Sequence, residues 1–94
     1  MRYEWDPGKN ARNIRERGID FADVPRLFDA PHLLFSRWPQ SYPERRVMTL
    51  GHLDGVPLVV VYHQKTTDLR RLISARVAKR KERKLYAQAF PAGG

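Results

Sequence analysis

The sequence predicts a single small α+β domain of order βααββββα, in which an antiparallel sheet carries its helices mainly on one face. Three observations lead there. A chain of 94 residues closes one modest core and leaves nothing for a second. Apolar or alternating runs recur between residues 45 and 75, the pattern of neighbouring strands. Helical spacing lies near both ends, outside those runs.

Arg2-Tyr3-Glu4-Trp5 alternates polar and aromatic residues and reads as a first strand. A helix over 7–17 follows, because Asp6 can accept from free amides at its start, Pro7 has the preset φ of a first helical residue, and Gly18 can take the left-handed stop. Its apolar stripe would be Pro7, Ala11 and Ile14. A second helix is expected at 21–29, with Asp20 as cap, Asp23 three residues on, and Ile19 and Val24 as a hydrophobic staple. Its Phe21, Val24, Leu27 and Phe28 form the buried face. Pro25 would delete a backbone hydrogen bond there, which moves the start toward Asp23.

Leu33 to Ser36 suits a short strand, followed by a loop from Arg37 to Glu44. Arg45 to Leu53 and Val56 to Gln64 read as strands joined at Asp54-Gly55, a pair suited to the positive φ angles of a tight hairpin. Val59, Val60 and Val61 lie within an unbroken apolar run, which marks a central strand covered on both faces. Leu69 to Ala75 is the last strand, and a helix runs from Val77 to about Ala89. The domain is expected to span 1–90, with 91–94 as a frayed tail.

The formal net charge is +8, and its distribution is uneven. Residues 1–68 hold ten Lys and Arg against nine Asp and Glu, whereas residues 69–94 hold eight against one. Such a concentrated field favours nucleic acid, an acidic protein or anionic lipid as partner. No apolar run spans a bilayer and no secretion signal is visible, so a cytoplasmic protein without a membrane partner is expected. With no Cys there are no disulfides, thiolate nucleophiles or Cys-type zinc sites. His32, His52 and His63 show no metal-site spacing, so neither metal nor cofactor is expected.

On a wheel of the last helix Ala78, Leu85, Tyr86 and Ala89 share one side, Lys79, Arg80, Arg83 and Lys84 the remainder. Glu82 falls in the apolar sector. A carboxylate facing inward needs a cation, and Arg71 or Arg76 of the preceding strand is the expected one. Two readings stay open: a structural ion pair docking the helix, or a site lined by Arg71, Arg76, Glu82 and Tyr86. Metal-free RNA cleavage needs a base for the ribose hydroxyl, cations for the phosphorane charge and an acid for the leaving oxygen, and this segment holds candidates for each. Arg37, Trp38 and Tyr42 form an aromatic-basic cluster suited either to stacking on a base or to packing on the sheet.

The runs EWDPGKNARNIRERGIDF and RLISARVAKRKERKLY together resemble the BrnT family of bacterial toxins, small partners in toxin–antitoxin pairs that are similar in fold to RelE-type ribonucleases. Trp5, Asp6, Lys9, Asn13, Gly18 and Phe21 fit the first part of the family pattern. Arg71, Ile73, Ser74, Ala75, Arg76, Ala78, Glu82, Arg83 and Tyr86 fit the second, and ERRVMTLG and LVVVY match between them. The resemblance implies a metal-independent endoribonuclease that arrests growth and is neutralised by an antitoxin encoded beside it. That antitoxin is expected to carry a ribbon-helix-helix module, through which alone the toxin would reach DNA; a homodimer within the complex is compatible with this. Arg71, Arg76, Glu82 and Tyr86 are then the catalytic candidates, with Lys9, Arg17, Lys79, Arg80 and Arg83 binding substrate. Arg17 stands where the family usually has His, and a guanidinium can bind phosphate but cannot exchange a proton near neutral pH. The alternative is a non-catalytic basic module that holds the antitoxin or nucleic acid as a co-repressor.

Overall fold

The computed structural model describes residues 1–37 and 46–91, with side chains for all of these except 35–37. Strands β1 (Arg2–Glu4), β2 (Leu33–Arg37), β3 (Arg46–Leu53), β4 (Val56–Thr66) and β5 (Leu69–Val77) form one sheet in the order β1-β5-β4-β3-β2. Helix α1 (Pro7–Arg17), a 3₁₀ helix (Val24–Asp29) and α2 (Arg80–Ala89) complete the chain. The expected class and element order hold. The loop with Trp38 and Tyr42, Arg45, and tail residues 92–94 lie outside the described residues.

Two details of the sheet go beyond the expectation. β2, β3, β4 and β5 are antiparallel neighbours, but β1 joins β5 in parallel, Arg2 opposite Leu69 and Glu4 opposite Arg71. Nothing forces a hairpin between segments at opposite ends of the chain, and Arg2 is tied to Asp68 by both its backbone N–H (2.6 Å) and its guanidinium Nε (3.2 Å). The helices also divide: α1 and the 3₁₀ helix serve one face, whereas α2 lies on the other.

Strand alternation explains this division. On the first face Leu58, Val60 and Tyr62 of β4, with Leu72 and Ala75 of β5, pack against Phe21, Val24 and Leu27. On the second, Val59 and Leu50 pack with Ala78, Leu33, Met48 and Tyr86. The run 58–62 of β4 is thus apolar at every position because both its faces are covered there. Each fully buried Leu, Val or Phe contributes about 1.5–3 kcal/mol relative to exposure. Gly51 is required on the first face, since a Cβ there would sit 2.7 Å from Leu27 Cδ2. Thr49 is 1% exposed and its hydroxyl has no hydrogen-bond partner among the described residues.

α1 has the expected bounds: Asp6 Oδ2 accepts from the Lys9 N–H (3.0 Å), and Gly18 closes the helix at φ 69°. Its inner face differs from the expected apolar stripe. Ile14 is 43% exposed, and Asn13 is the buried residue. The reason is polar docking: Asn13 Nδ2 donates to the Ile19 carbonyl (2.9 Å), while Asn10 donates to Asp20 (2.9 Å) and accepts from the Phe21 N–H (2.8 Å). The next segment starts later than 21 and winds as 3₁₀, with Val24 N–H on Phe21 and Arg26 N–H on Asp23, a pattern that tolerates Pro25 in its first turn. Asp20 accepts from Ala22 N–H, but Asp23 makes no side-chain cap. α2 begins at Arg80 rather than Val77 because β5 keeps pairing as far as Val77 opposite Leu58.

Candidate active site

The site is organised by an irregularity in β5. Ser74 is opposite Val61 and Leu72 opposite Tyr62, which leaves Ile73 as an extra residue, a β-bulge. Under strict alternation Leu72, Ser74 and Arg76 would share one face, and the two polar residues would point into the Phe21–Leu72 core. The bulge inverts everything after it. Ala75 enters that core, and Ser74 and Arg76 move to the face that carries Arg71 and α2. Arg71, opposite His63, and Arg76, opposite Val59, therefore line one face, separated by four residues of β4, about 13 Å.

Arg76 meets Glu82 in a fork-to-fork pair, Nη1 to Oε1 and Nη2 to Oε2 both at 2.8 Å. The side chains are 27% and 13% exposed, so little water competes with the contact. Glu82 stands at the third residue of α2, where Oε1 also accepts from the Lys79 N–H (2.7 Å), so the carboxylate both caps the helix and fixes it to β5. The Arg76 hydrogen bonds, and less strongly the Lys79 N–H, hold the Glu82 carboxyl below its ordinary range against the opposing effect of burial. The same pair raises the Arg76 guanidinium. The Arg76 Nε–H has no partner among the described residues, so one edge of the fork stays available.

Arg71 has a different carboxylate. Its Nη1 is 2.6 Å from Glu4 Oε2, and Lys65 Nζ holds the other oxygen at 3.0 Å. Lys65 first, then Arg71, lowers the Glu4 carboxyl. The two strand arginines thus share a face but not a counter-ion. Tyr86 is engaged elsewhere, donating to the Pro31 carbonyl (3.0 Å) and stacking on His52 with ring centroids 4.1 Å apart. Among the other cations, Arg83 Nη1 turns back to the Ala78 carbonyl (3.0 Å), while Lys79 and Arg80 lie exposed at the start of α2.

Lys9 and Arg17 meet at the outer edge of β5, on the side away from β4. With Arg12, Asn13, Glu16, Ile73 and Ser74 they line an open cleft of 210 Å³ between α1 and β5. Arg17 Nη1 donates to Ser74 Oγ at 2.9 Å and lies 3.4 Å from the Ala75 carbonyl. Sequence reasoning did not single out Ser74 for a site. The signal was present: Leu72 and Ala75, three apart, can share a buried face only if the strand between them carries an extra residue. No group of three or more His, Asp or Glu among the described residues is placed to hold a metal ion. No helix among them is long and apolar enough to cross a membrane.

A compact α+β domain with a guanidinium-lined face beside its last helix fits the ribonuclease toxins of type II toxin–antitoxin systems. Residues 5–82 match the family described as ribonuclease toxin, BrnT, of type II toxin-antitoxin system, and the chain belongs to that family. It is similar to the solved structure of the Brucella abortus ribonuclease toxin BrnT at 27% identity and a TM-score of 0.68, over 85% of this chain and 99% of that one. No curated protein matches the chain. The protein is accordingly a ribonuclease toxin, with RNA as substrate and an antitoxin as partner.

Proposed function

We propose that this toxin is a metal-independent endoribonuclease in which Arg76 binds the scissile phosphate and Glu82 orients it. The observation that carries this reading is the fork-to-fork pair, which fixes the guanidinium on a strand while its Nε–H has no partner among the described residues. As the ribose 2′-oxygen attacks phosphorus its proton passes to water, one P–O bond forms and the P–O5′ bond breaks, and O5′ takes a proton from water, leaving a cyclic phosphate and a 5′-hydroxyl. Charge rises on the phosphorane oxygens, and a preorganised guanidinium stabilises it more than it stabilises the substrate. Glu82 suits orientation better than base catalysis, because both its oxygens are engaged and its carboxyl is held low.

In this reading Arg71 binds a phosphate farther along the same face, and Tyr86, stacked on His52, positions α2. Lys9, Arg17, Lys79, Arg80 and Arg83 supply the field that follows the RNA backbone. Growth arrest is relieved by a ribbon-helix-helix antitoxin, and the pair reaches DNA through that antitoxin. The protein works in the cytoplasm, where its substrate is.

The test is purified toxin incubated with RNA in EDTA. New cleavage ends with cyclic phosphates are expected, and Arg76→Ala should lower the rate about 10²- to 10³-fold. Arg76→Lys should not restore it, because an ammonium cannot hold Glu82 and phosphate through one planar fork. Intact RNA bound in a salt-sensitive way would instead favour the non-catalytic module.

A further inference from the structure

We infer that the cleft between α1 and β5 is a second phosphate subsite, where Arg17 and Ser74 together hold the phosphodiester next to the one at Arg76. This rests on the ribonuclease reading above and adds to it the path of the RNA over the edge of β5.

Beyond the contact of β1 with Leu69 to Arg71, β5 has no strand neighbour on that side among the described residues, and α1 stands beside it instead. Arg17, at the last turn of α1, reaches this open edge. Its Nη1 is surrounded by three acceptors: Ser74 Oγ at 2.9 Å, the Ala75 carbonyl at 3.4 Å and Asn13 Oδ1 at 3.5 Å. Asn13 is itself buried and tied to Ile19. One nitrogen of the guanidinium is therefore anchored, while Nε and Nη2 have no partner among the described residues and form a paired edge of the kind that meets two phosphate oxygens.

Ser74 completes the cradle. Because its oxygen accepts from Arg17, its own proton is left to donate to a ligand, and the bond from a cation strengthens it as a donor. The bulge at Ile73 is what brings it out of the core. Ser74 and Arg76 then sit on one strand face two residues apart, about 7 Å, a separation that an extended RNA strand covers in one nucleotide step. Lys9 and Arg12 add charge at the cleft wall, and the one acid there, Glu16, is already paired with Arg12 (3.1 Å).

The experiment is fluorescence anisotropy of a 2′-O-methylated RNA oligonucleotide, which binds but cannot be cleaved, against the full-length chain across a salt series. Arg17→Gln should lower the slope of log affinity against log salt by about 0.7, the loss of one phosphate contact on a single strand. Arg17→Lys should keep the slope. Ser74→Ala, which removes no charge, should weaken binding about three- to tenfold with the slope unchanged. Arg15→Gln, an exposed α1 cation outside the cleft, should leave both unchanged. Equal effects of Arg15→Gln and Arg17→Gln, or wild-type slope and affinity in both Arg17→Gln and Ser74→Ala, overturn the subsite while leaving the ribonuclease reading intact. A wild-type chain that binds no RNA overturns the ribonuclease reading as well.

Discussion

Breaking the Arg76–Glu82 pair should cost this domain more than breaking any of its exposed ion pairs, and a double-mutant cycle measures the difference. Two charge-assisted hydrogen bonds at 2.8 Å join side chains that are 27% and 13% exposed. Hydrogen bonds to charged groups contribute about 1.5–3 kcal/mol each, and the remaining solvent exposure together with side-chain ordering reduces the sum. A coupling of about 1.5–3 kcal/mol is therefore expected from Arg76→Ala, Glu82→Gln and the double variant, read by urea unfolding. The Arg12–Glu16 pair on α1, at 70% and 51% exposure, is an internal control and should couple by about 0.3–0.5 kcal/mol. For a domain of this size a loss of 1.5 kcal/mol lowers Tm by about 6–12 °C. The pH dependence has a definite sign. Arg76 depresses the Glu82 carboxyl below its ordinary 4.5, so the pair's contribution is complete above that value and fades as pH falls through the lowered one. The stability gap between wild type and Glu82→Gln should thus be constant near neutrality and close in acid. A coupling no larger than that of Arg12–Glu16, or a gap that widens on acidification, would refute the reasoning.

Other consequences are open to the same methods. Deleting Ile73 removes the unpaired residue while Ser74 stays opposite Val61 and Arg76 opposite Val59, so both should keep their face; a folded domain with a regular β5 is expected in urea unfolding, and a deletion variant that does not fold would refute the reading of Ile73 as the extra residue. Gly51→Ala places a Cβ 2.7 Å from Leu27 Cδ2 and should destabilise by about 1–3 kcal/mol in urea. Thr49→Val replaces an unpartnered buried hydroxyl with a methyl of similar volume and should stabilise by about 1 kcal/mol, visible as a raised Tm; a fall would mean that the hydroxyl has a partner.

Much of the architecture was legible because it rests on local chemistry. Asp6, Pro7 and Gly18 fix the ends of α1 whatever lies beside it. Asp54 and Gly55 both take positive φ, 51° and 81°, and the strands on either side must then return antiparallel. The candidate site was legible only in part. The inward position of Glu82 on its helix wheel already called for an arginine, but helical spacing cannot choose between Arg71 and Arg76. The choice fell to Arg76 because the parallel strand β1 brings Glu4 against Arg71.

The sequence by itself determined the elements, their order, the central position of β4 and the excess of cations after residue 68. Only the tertiary structure decided which side of the sheet each of those cations occupies. A strand's period of two assigns faces until one residue is left unpaired, and pairing is a property of two strands, not of one. Ile73 is that residue, and it puts Arg71, Ser74 and Arg76 on the same side of the protein.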